Sequence, residues 1–214
     1  MKLVTFLVNL LSAIVIVLFC NYYADIFLAN LVHKIYKSNV EWAHYTATIP
    51  DFLLLFVLVM TTAAFTCYLI RVKHGIFNRT TWFFRLIAYA IPLSYVLKSL
   101  LKYIFGRINT RAWILNPDQY GFYWFQGGET TSGFPSGHMA VFSTLIAALW
   151  RVYPRYRYPY AIALTLLSVA LIATNYHFLG DVVAGLYLGL FVEAGTYHVL
   201  MRRYRRKDVS AKQQ

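Results

Sequence analysis

Residues 133–150 read GFPSGHMAVFSTLIAALW, in which a turn of small residues runs directly into a long apolar stretch. Gly133, Pro135 and Gly137 are typical of a turn, whereas the residues that follow predict a helix inside a membrane. His138 therefore lies at the mouth of a buried helix. What a histidine does at that position depends on what the rest of the chain supplies on the same side of the membrane.

The composition of the whole chain indicates an integral membrane protein. Of its 214 residues, 59% are hydrophobic and only 13% are charged, whereas soluble domains carry about 25% charged residues. No tail or linker is long enough for a second domain, so we expect one membrane-embedded domain over residues 1–214. Cys20 and Cys67 both lie within apolar blocks, which argues against a disulfide framework and against a metal cluster.

Six apolar segments predict six transmembrane helices and an all-α fold. They lie at about 3–20, 52–70, 83–104, 138–153, 159–176 and 182–200. The first segment has the Lys2 flank of a signal peptide, but no small-x-small cleavage site follows it, so we expect it to remain as a helix. Residues 22–37 have apolar positions at helical spacing, which predicts a short amphipathic helix at the membrane surface in the first outer loop.

The distribution of charge predicts the orientation of these helices. With both termini in the cytoplasm, 14 of the 20 Lys and Arg residues face inward, and the six on the outer side are balanced by six acidic residues. This positive-inside pattern accounts for the net charge of +12 without a nucleic-acid partner. We interpret RRYRRK, 202–207, as an orientation signal that contacts anionic lipid headgroups. The loops 21–51, 105–137 and 177–181 then face outward.

Four polar segments meet on this outer side. They are KSLLKYIFGRINTR at 98–111, the aromatic loop YGFYWF at 120–125, PSGH at 135–138 and NYHFLGD at 175–181. Each has an ordinary structural interpretation: snorkelling lysines, an interfacial aromatic belt, a turn capped by Ser136 with an interfacial histidine, and Asp181 as a helix N-cap. Their combination favours an anion site, because cations, helix N-terminal amides and a histidine held by a carboxylate suit a phosphoryl group.

These motifs resemble the type 2 phosphatidic acid phosphatase superfamily. PSGH is followed about forty residues later by a histidine and an aspartate four residues apart, and is preceded by a K…GR segment. The resemblance spans all three motifs of that family over residues 98–185. It implies hydrolysis without a metal or another cofactor, through a phosphohistidine.

The resemblance also implies a role for each matching residue. His177 would be the nucleophile, Asp181 would orient it, and His138 would be the general acid for the leaving group. Ser136 and the amide of Gly137 would hold phosphate oxygens. Lys102 corresponds to the lysine of the first motif.

The sequence departs from the family pattern at two positions. Where the first motif usually has Arg-Pro, this chain has Asn109 and Thr110, and where the third motif usually has an arginine, it has Leu171. Two phosphate-binding arginines of the family are therefore missing. Arg107 and Arg111 lie two residues on either side of Asn109, and we expect them to replace those arginines in the phosphate site.

The resemblance implies a lipid phosphate or pyrophosphate phosphatase on the outer, periplasmic face of a bacterial-type inner membrane. Candidate substrates are undecaprenyl pyrophosphate, phosphatidic acid, phosphatidylglycerol phosphate and the phosphates of lipid A. The alternatives are a lipid phosphotransferase with the same phosphohistidine, a non-catalytic relative, and a transporter or structural membrane protein. Clustering of the polar residues at one interface argues against a transporter. The soluble vanadium haloperoxidases share the motifs, but the apolar helices argue against that reaction. The sequence does not predict an oligomeric state.

Overall fold

The computed structural model describes residues 3–36 and 49–211, and these are helical without a β-strand. This confirms the predicted all-α class. The helices are α1 (Leu3–Phe19), α2 (Asp25–Tyr36), α3 (Ile49–Lys73), α4 (Arg79–Phe105), α5 (Thr110–Leu115), α6 (Gly137–Val152), α7 (Arg157–Ala173) and α8 (Leu179–Ala211).

Five helical segments of the described chain are long and apolar enough to cross a bilayer. They are Val4–Ile35, Phe52–Lys73, Arg79–Phe105, Pro154–Ala173 and Leu179–Arg202. The sixth predicted segment is the apolar helix α6, which has 16 residues. At 1.5 Å per residue it is about 24 Å long, shorter than the roughly 30 Å of a hydrocarbon core. The structure therefore shows five candidate spans and one shorter apolar helix beside them.

The first two helices form one continuous helical segment. A π-helical turn, Cys20–Ala24, joins α1 to α2, and the amide of Asp25 donates to the carbonyl oxygen of Cys20. The segment predicted as an amphipathic helix at 22–37 is thus helical as far as Tyr36, but it continues α1, and a separate surface helix is not confirmed. Residues 37–48, in the segment predicted as the first outer loop, and the side chains of 203–207 lie outside the described residues.

Helices α6 and α8 pack most closely, with α4 beside both. Small residues permit this approach: the Thr144 hydroxyl of α6 donates to the carbonyl oxygen of Gly189 on α8 at 3.2 Å. A Cβ atom at Gly189 would collide with the Ser143 hydroxyl and the Ala140 carbonyl. Close contact between backbones of this kind is how membrane helices associate when small residues line their interface.

One end of this bundle collects the predicted functional segments. The Ser136 side chain caps α6, and the Ser136 amide donates to the carbonyl oxygen of Asp181 near the start of α8 at 3.0 Å. Helix α4 ends at Gly106, whose φ of +52° is the left-handed conformation that favours glycine after a helix. The next residue, Arg107, turns back into this end of the bundle, where it contacts Asp181.

Candidate active site

His177 and Asp181 lie together at the start of α8, buried from solvent. The His177 side chain is 3% exposed, and its Nδ1 is 3.7 Å from Oδ2 of Asp181, a distance longer than a hydrogen bond. The same Oδ2 accepts the amide of Phe178 at 3.0 Å. Because α8 begins at Leu179, Asp181 is its third residue, and its carboxylate reaches back to the residue before the helix. Asp181 therefore both stabilises the start of α8 and faces His177.

The imidazole of His177 is held in an environment that keeps it neutral. Neither ring nitrogen has a hydrogen-bond partner among the described residues. Burial lowers the pKa of His177 below its ordinary value, the Lys102 ammonium acts in the same direction, and the carboxylate of Asp181 opposes both. A neutral imidazole has a nitrogen lone pair available to act as a nucleophile at neutral pH.

The mouth of α6 lies beside this histidine. Ser136 is the N-cap of α6 and Gly137 and His138 are its first two residues, all three buried. The ring of His138 is 5.8 Å from that of Tyr176, which is 4.9 Å from the ring of His177. A helix N-terminus beside a neutral histidine is suited to an anion that the histidine can attack.

Helices α4 and α5 bring cations to the same place. Lys102, in the last turn of α4, is near enough to His177 to lower the pKa of the imidazole. The guanidinium of Arg111 lies 5.0 Å from the centre of the Tyr176 ring. Among the residues that the structure describes, no three His, Cys, Asp or Glu side chains are grouped as metal ligands would be.

The two positions that depart from the family pattern have structural roles. Asn109 is the N-cap of α5, and its side-chain oxygen accepts the amide of Ala112 at 2.8 Å. Leu171 packs in a buried cluster with Met139 and Val182. Neither position supplies a cation.

Arg107 is hydrogen-bonded to four side chains of the site. Its guanidinium is fully buried and donates to Asp181 at 2.6 Å, to Asp25 at 2.6 Å, to Asn21 at 2.8 Å and to Tyr120 at 2.7 Å. The sequence placed Arg107 among the phosphate-binding residues, but here both terminal nitrogens are bonded to protein side chains.

Aromatic rings enclose the same guanidinium. It lies 4.8 Å from the ring centre of Phe178 and 5.2 Å from that of Phe122. Burial by itself lowers the pKa of Arg107, but the carboxylates of Asp181 and Asp25 outweigh burial and raise it above the ordinary value. Burial raises the pKa of Tyr120 to about 12. The hydroxyl therefore stays protonated and accepts from Arg107 as a neutral group.

Comparison with known proteins gives the family of the chain. The family model of the PAP2 superfamily matches residues 83–205. The chain belongs to the PAP2 superfamily. The match confirms the resemblance of the sequence motifs and includes every residue predicted for the site. Helices α1 and α2 lie outside the matched range.

One curated relative is a lipid A 1-phosphatase of Rhizobium johnstonii (strain DSM 114642 / LMG 32736 / 3841), 27% identical over 128 residues. The aligned region covers 57% of this chain and 50% of the relative, so the chain spans about half the length of the curated relative that it matches. No solved structure matches the chain.

Sequence reasoning missed two residues that this PAP2 protein places in the site. Asn21 and Asp25 were counted only as part of an outer loop, yet both bond Arg107. A signal was available, because a carboxylate inside an otherwise apolar membrane segment is a functional candidate by default. The partner of Asp25 lies 82 residues further along the chain and could not be identified from spacing.

Proposed function

We propose that this PAP2 protein is an integral membrane phosphatase that hydrolyses the phosphate or diphosphate ester of a lipid through a phosphohistidine. The observation that carries the proposal is the buried imidazole of His177 beside the carboxylate of Asp181 and near the N-terminus of α6. A nucleophile, its orienting group and an anion site thus occupy one place.

In the first step, a nitrogen lone pair of His177 attacks phosphorus, and the bond from phosphorus to the leaving oxygen breaks. Protonated His138 gives its proton to that oxygen, so the lipid leaves as an alcohol, or as a lipid phosphate if the substrate is a diphosphate. The imidazole gains positive charge as the P–N bond forms, and the nearby carboxylate of Asp181 stabilises that charge.

In the second step, water attacks the phosphohistidine. His138, now neutral, takes a proton from the water as its oxygen bonds to phosphorus, and the P–N bond breaks. Inorganic phosphate leaves, His177 is neutral again and His138 is again protonated. Protein groups alone supply the charge stabilisation in both steps, so the proposed reaction is independent of a metal ion.

The phosphate contacts that we propose come from three elements. Ser136 and the amide of Gly137 lie at the mouth of α6, Lys102 lies at the end of α4, and Arg111 lies on α5. Fixed cations and amides of this kind stabilise the three equatorial oxygens of a phosphoryl group in transfer. We assign Arg107 to positioning rather than to phosphate contact, because its terminal nitrogens are bonded to Asp25 and Asp181.

The substrate that we propose is a lipid, because the site lies at one end of a bundle of apolar helices and the curated relative is a lipid A 1-phosphatase. The charge pattern of the sequence supports an outer, periplasmic site in an inner membrane with both termini in the cytoplasm. A cysteine placed at the exposed position Gln126 tests this orientation. We expect a membrane-impermeant thiol reagent to label it from the outer side, and labelling only from the cytoplasmic side would overturn the orientation.

The activity test uses purified protein in detergent micelles with a chelator present. We expect phosphate release from at least one of phosphatidic acid, phosphatidylglycerol phosphate, undecaprenyl pyrophosphate and lipid A. Glu129→Gln changes an exposed carboxylate of an outer loop and is the matched control, which should keep the activity. His177→Ala should release no phosphate. Absence of release from the whole panel by the wild-type protein would reject the proposed function.

A further inference from the structure

Asp25 connects three separate parts of the chain at the site. Its side chain lies in α2 and is fully buried. Oδ2 accepts from Arg107 at 2.6 Å, and Oδ1 accepts the amide of Gly180 at 2.8 Å. Gly180 lies between His177 and Asp181 in the sequence. The Asp25 carboxylate therefore bonds both to Arg107, which is bonded to Asp181, and to the backbone of the segment that carries His177.

This contact requires a close fit. A Cβ atom at Gly180 would lie 2.9 Å from Oδ2 of Asp25 and 3.4 Å from a terminal nitrogen of Arg107. The carboxylate is therefore packed directly against the start of α8.

The charges of the cluster do not cancel. With both aspartates ionised, as their bonds to the Arg107 guanidinium favour, Asp25, Arg107 and Asp181 together have a net charge of −1, and all three side chains are shielded from solvent. The other titratable groups near the cluster are Tyr120, which stays neutral, Cys20, the Lys102 ammonium and His177 itself. His138, on α6, contacts the ring of Tyr176, which in turn contacts the ring of His177. Without Asp25, Arg107 would neutralise Asp181 and the aspartate would attract the imidazole less strongly.

We propose that Asp25, itself held in place by the Gly180 amide, is a positioning residue of the phosphoryl-transfer reaction that acts through Arg107 to keep Asp181 negative and aligned with His177; this inference rests on the function proposed above. As the P–N bond forms, the imidazole becomes positive, and the negative charge that Asp25 adds to the cluster stabilises it. The N-terminal helical segment, which lies outside the PAP2 match, thus contributes to catalysis.

The competing role is purely structural, with Asp25 as an anchor that holds α2 against α8. An anchor changes how much protein folds, but it changes neither the turnover of the folded molecules nor their pH profile. Kinetic constants for the folded fraction therefore separate the two roles.

The first experiment compares Asp25→Asn with Asn21→Ala. Asp25→Asn removes a charge and leaves one acceptor oxygen for the Arg107 and Gly180 donors, whereas Asn21→Ala removes a neutral acceptor of Arg107. For Asp25→Asn we expect kcat to fall about 10- to 100-fold, as for other residues that orient a functional histidine through an intermediate group, with KM within about twofold. The acid limb of the pH profile should move to lower pH, because the imidazolium of His177 loses a stabilising negative charge. Asn21→Ala should lose less activity and keep the position of that limb.

The second experiment places Asp25→Asn in an Arg107→Gln background. If Asp25 acts through the arginine, the double variant should turn over no more slowly than Arg107→Gln alone. Multiplication of the two losses would overturn the inference, as would an Asp25→Asn protein with wild-type kcat and an unmoved acid limb. In either case an active wild type and an inactive His177→Ala protein would leave the proposed function intact. A wild type inactive on every lipid phosphate would overturn both proposals.

Discussion

Arg107 and Arg151 are bonded to carboxylates at opposite ends of α6, but their charges are balanced differently. Arg151 forms a two-bond pair with Glu193 of α8, at 2.5 and 2.8 Å, and the charges cancel. Its side chain is 37% exposed, whereas that of Arg107 is fully buried. Arg107 bonds two carboxylates, and the cluster keeps one negative charge.

The difference indicates what each cluster is for. The Arg151 pair joins the regular helices α6 and α8 and stands at the far end of α6 from His138. A paired arginine and carboxylate of that kind is a structural contact, replaceable in principle by apolar side chains of similar size. The Arg107 cluster joins α2, the start of α8 and the loop that carries Tyr120, and its negative charge suits a site where positive charge develops.

Loss of Arg107 should have the largest effect. Arg107→Gln leaves Asp25 and Asp181 buried without their cation, and removing one partner of a buried ion pair typically costs about 3–5 kcal/mol of stability. We expect the rate on a lipid phosphate to fall by on the order of 100-fold or more. Denaturation curves and steady-state kinetics on the folded fraction measure the two effects. Near-wild-type turnover would show that the cluster is not coupled to catalysis.

Arg111 should come next, because we assign it to the phosphate itself. Arg111→Ala removes one cation from the equatorial oxygens and should reduce the rate by about 100-fold. Asn109→Ala, two residues earlier, is the matched control: it removes the cap of α5 and should cost about 1 kcal/mol of stability, with turnover nearly retained. Equal turnover of both variants would remove Arg111 from the phosphate site.

The pH profile tests the neutral histidine. Because burial lowers the pKa of His177, protonation removes the nucleophile only below the ordinary histidine value of about 6.5. On the acid side of the profile, the rate of phosphoenzyme formation should fall about tenfold per pH unit below the lowered pKa of His177. Single-turnover rates with one substrate over a series of pH values measure this limb. A limb above pH 6.5 would contradict the assigned protonation state.

The smallest effect is expected at the Arg151 end of α6. Exchange of the whole pair, Arg151→Met with Glu193→Leu, removes both charges and keeps apolar volume between the helices. Such exchanges are often neutral or stabilising, so we expect stability within about 1 kcal/mol and activity within about twofold of wild type. A large loss of activity would show that this end of α6 is also coupled to the site.

The comparison also explains which features the sequence could predict. PSGH and the four-residue separation of His177 and Asp181 are local patterns. Each of these motifs lies at the start of an apolar helix, α6 or α8, which predicts that both lie at one end of a helix bundle. The contact of Asp25 with Arg107 is not local, because it joins positions 82 residues apart and depends on a π-helical turn without a sequence signature. The N-cap role of Asn109 was not predicted, because this position was compared only with the arginine of the family pattern.

The most direct test of the account is rapid-quench trapping of the phosphoenzyme. Wild-type protein mixed with a labelled lipid phosphate and quenched in base should carry nearly one acid-labile phosphoryl group per molecule, on His177, before steady state. The His177→Ala protein, matched for folded amount, should carry none, whereas the Glu129→Gln control should match wild type. A stoichiometric phosphoenzyme on the His177→Ala protein would contradict the central claim that this buried, neutral histidine is the nucleophile.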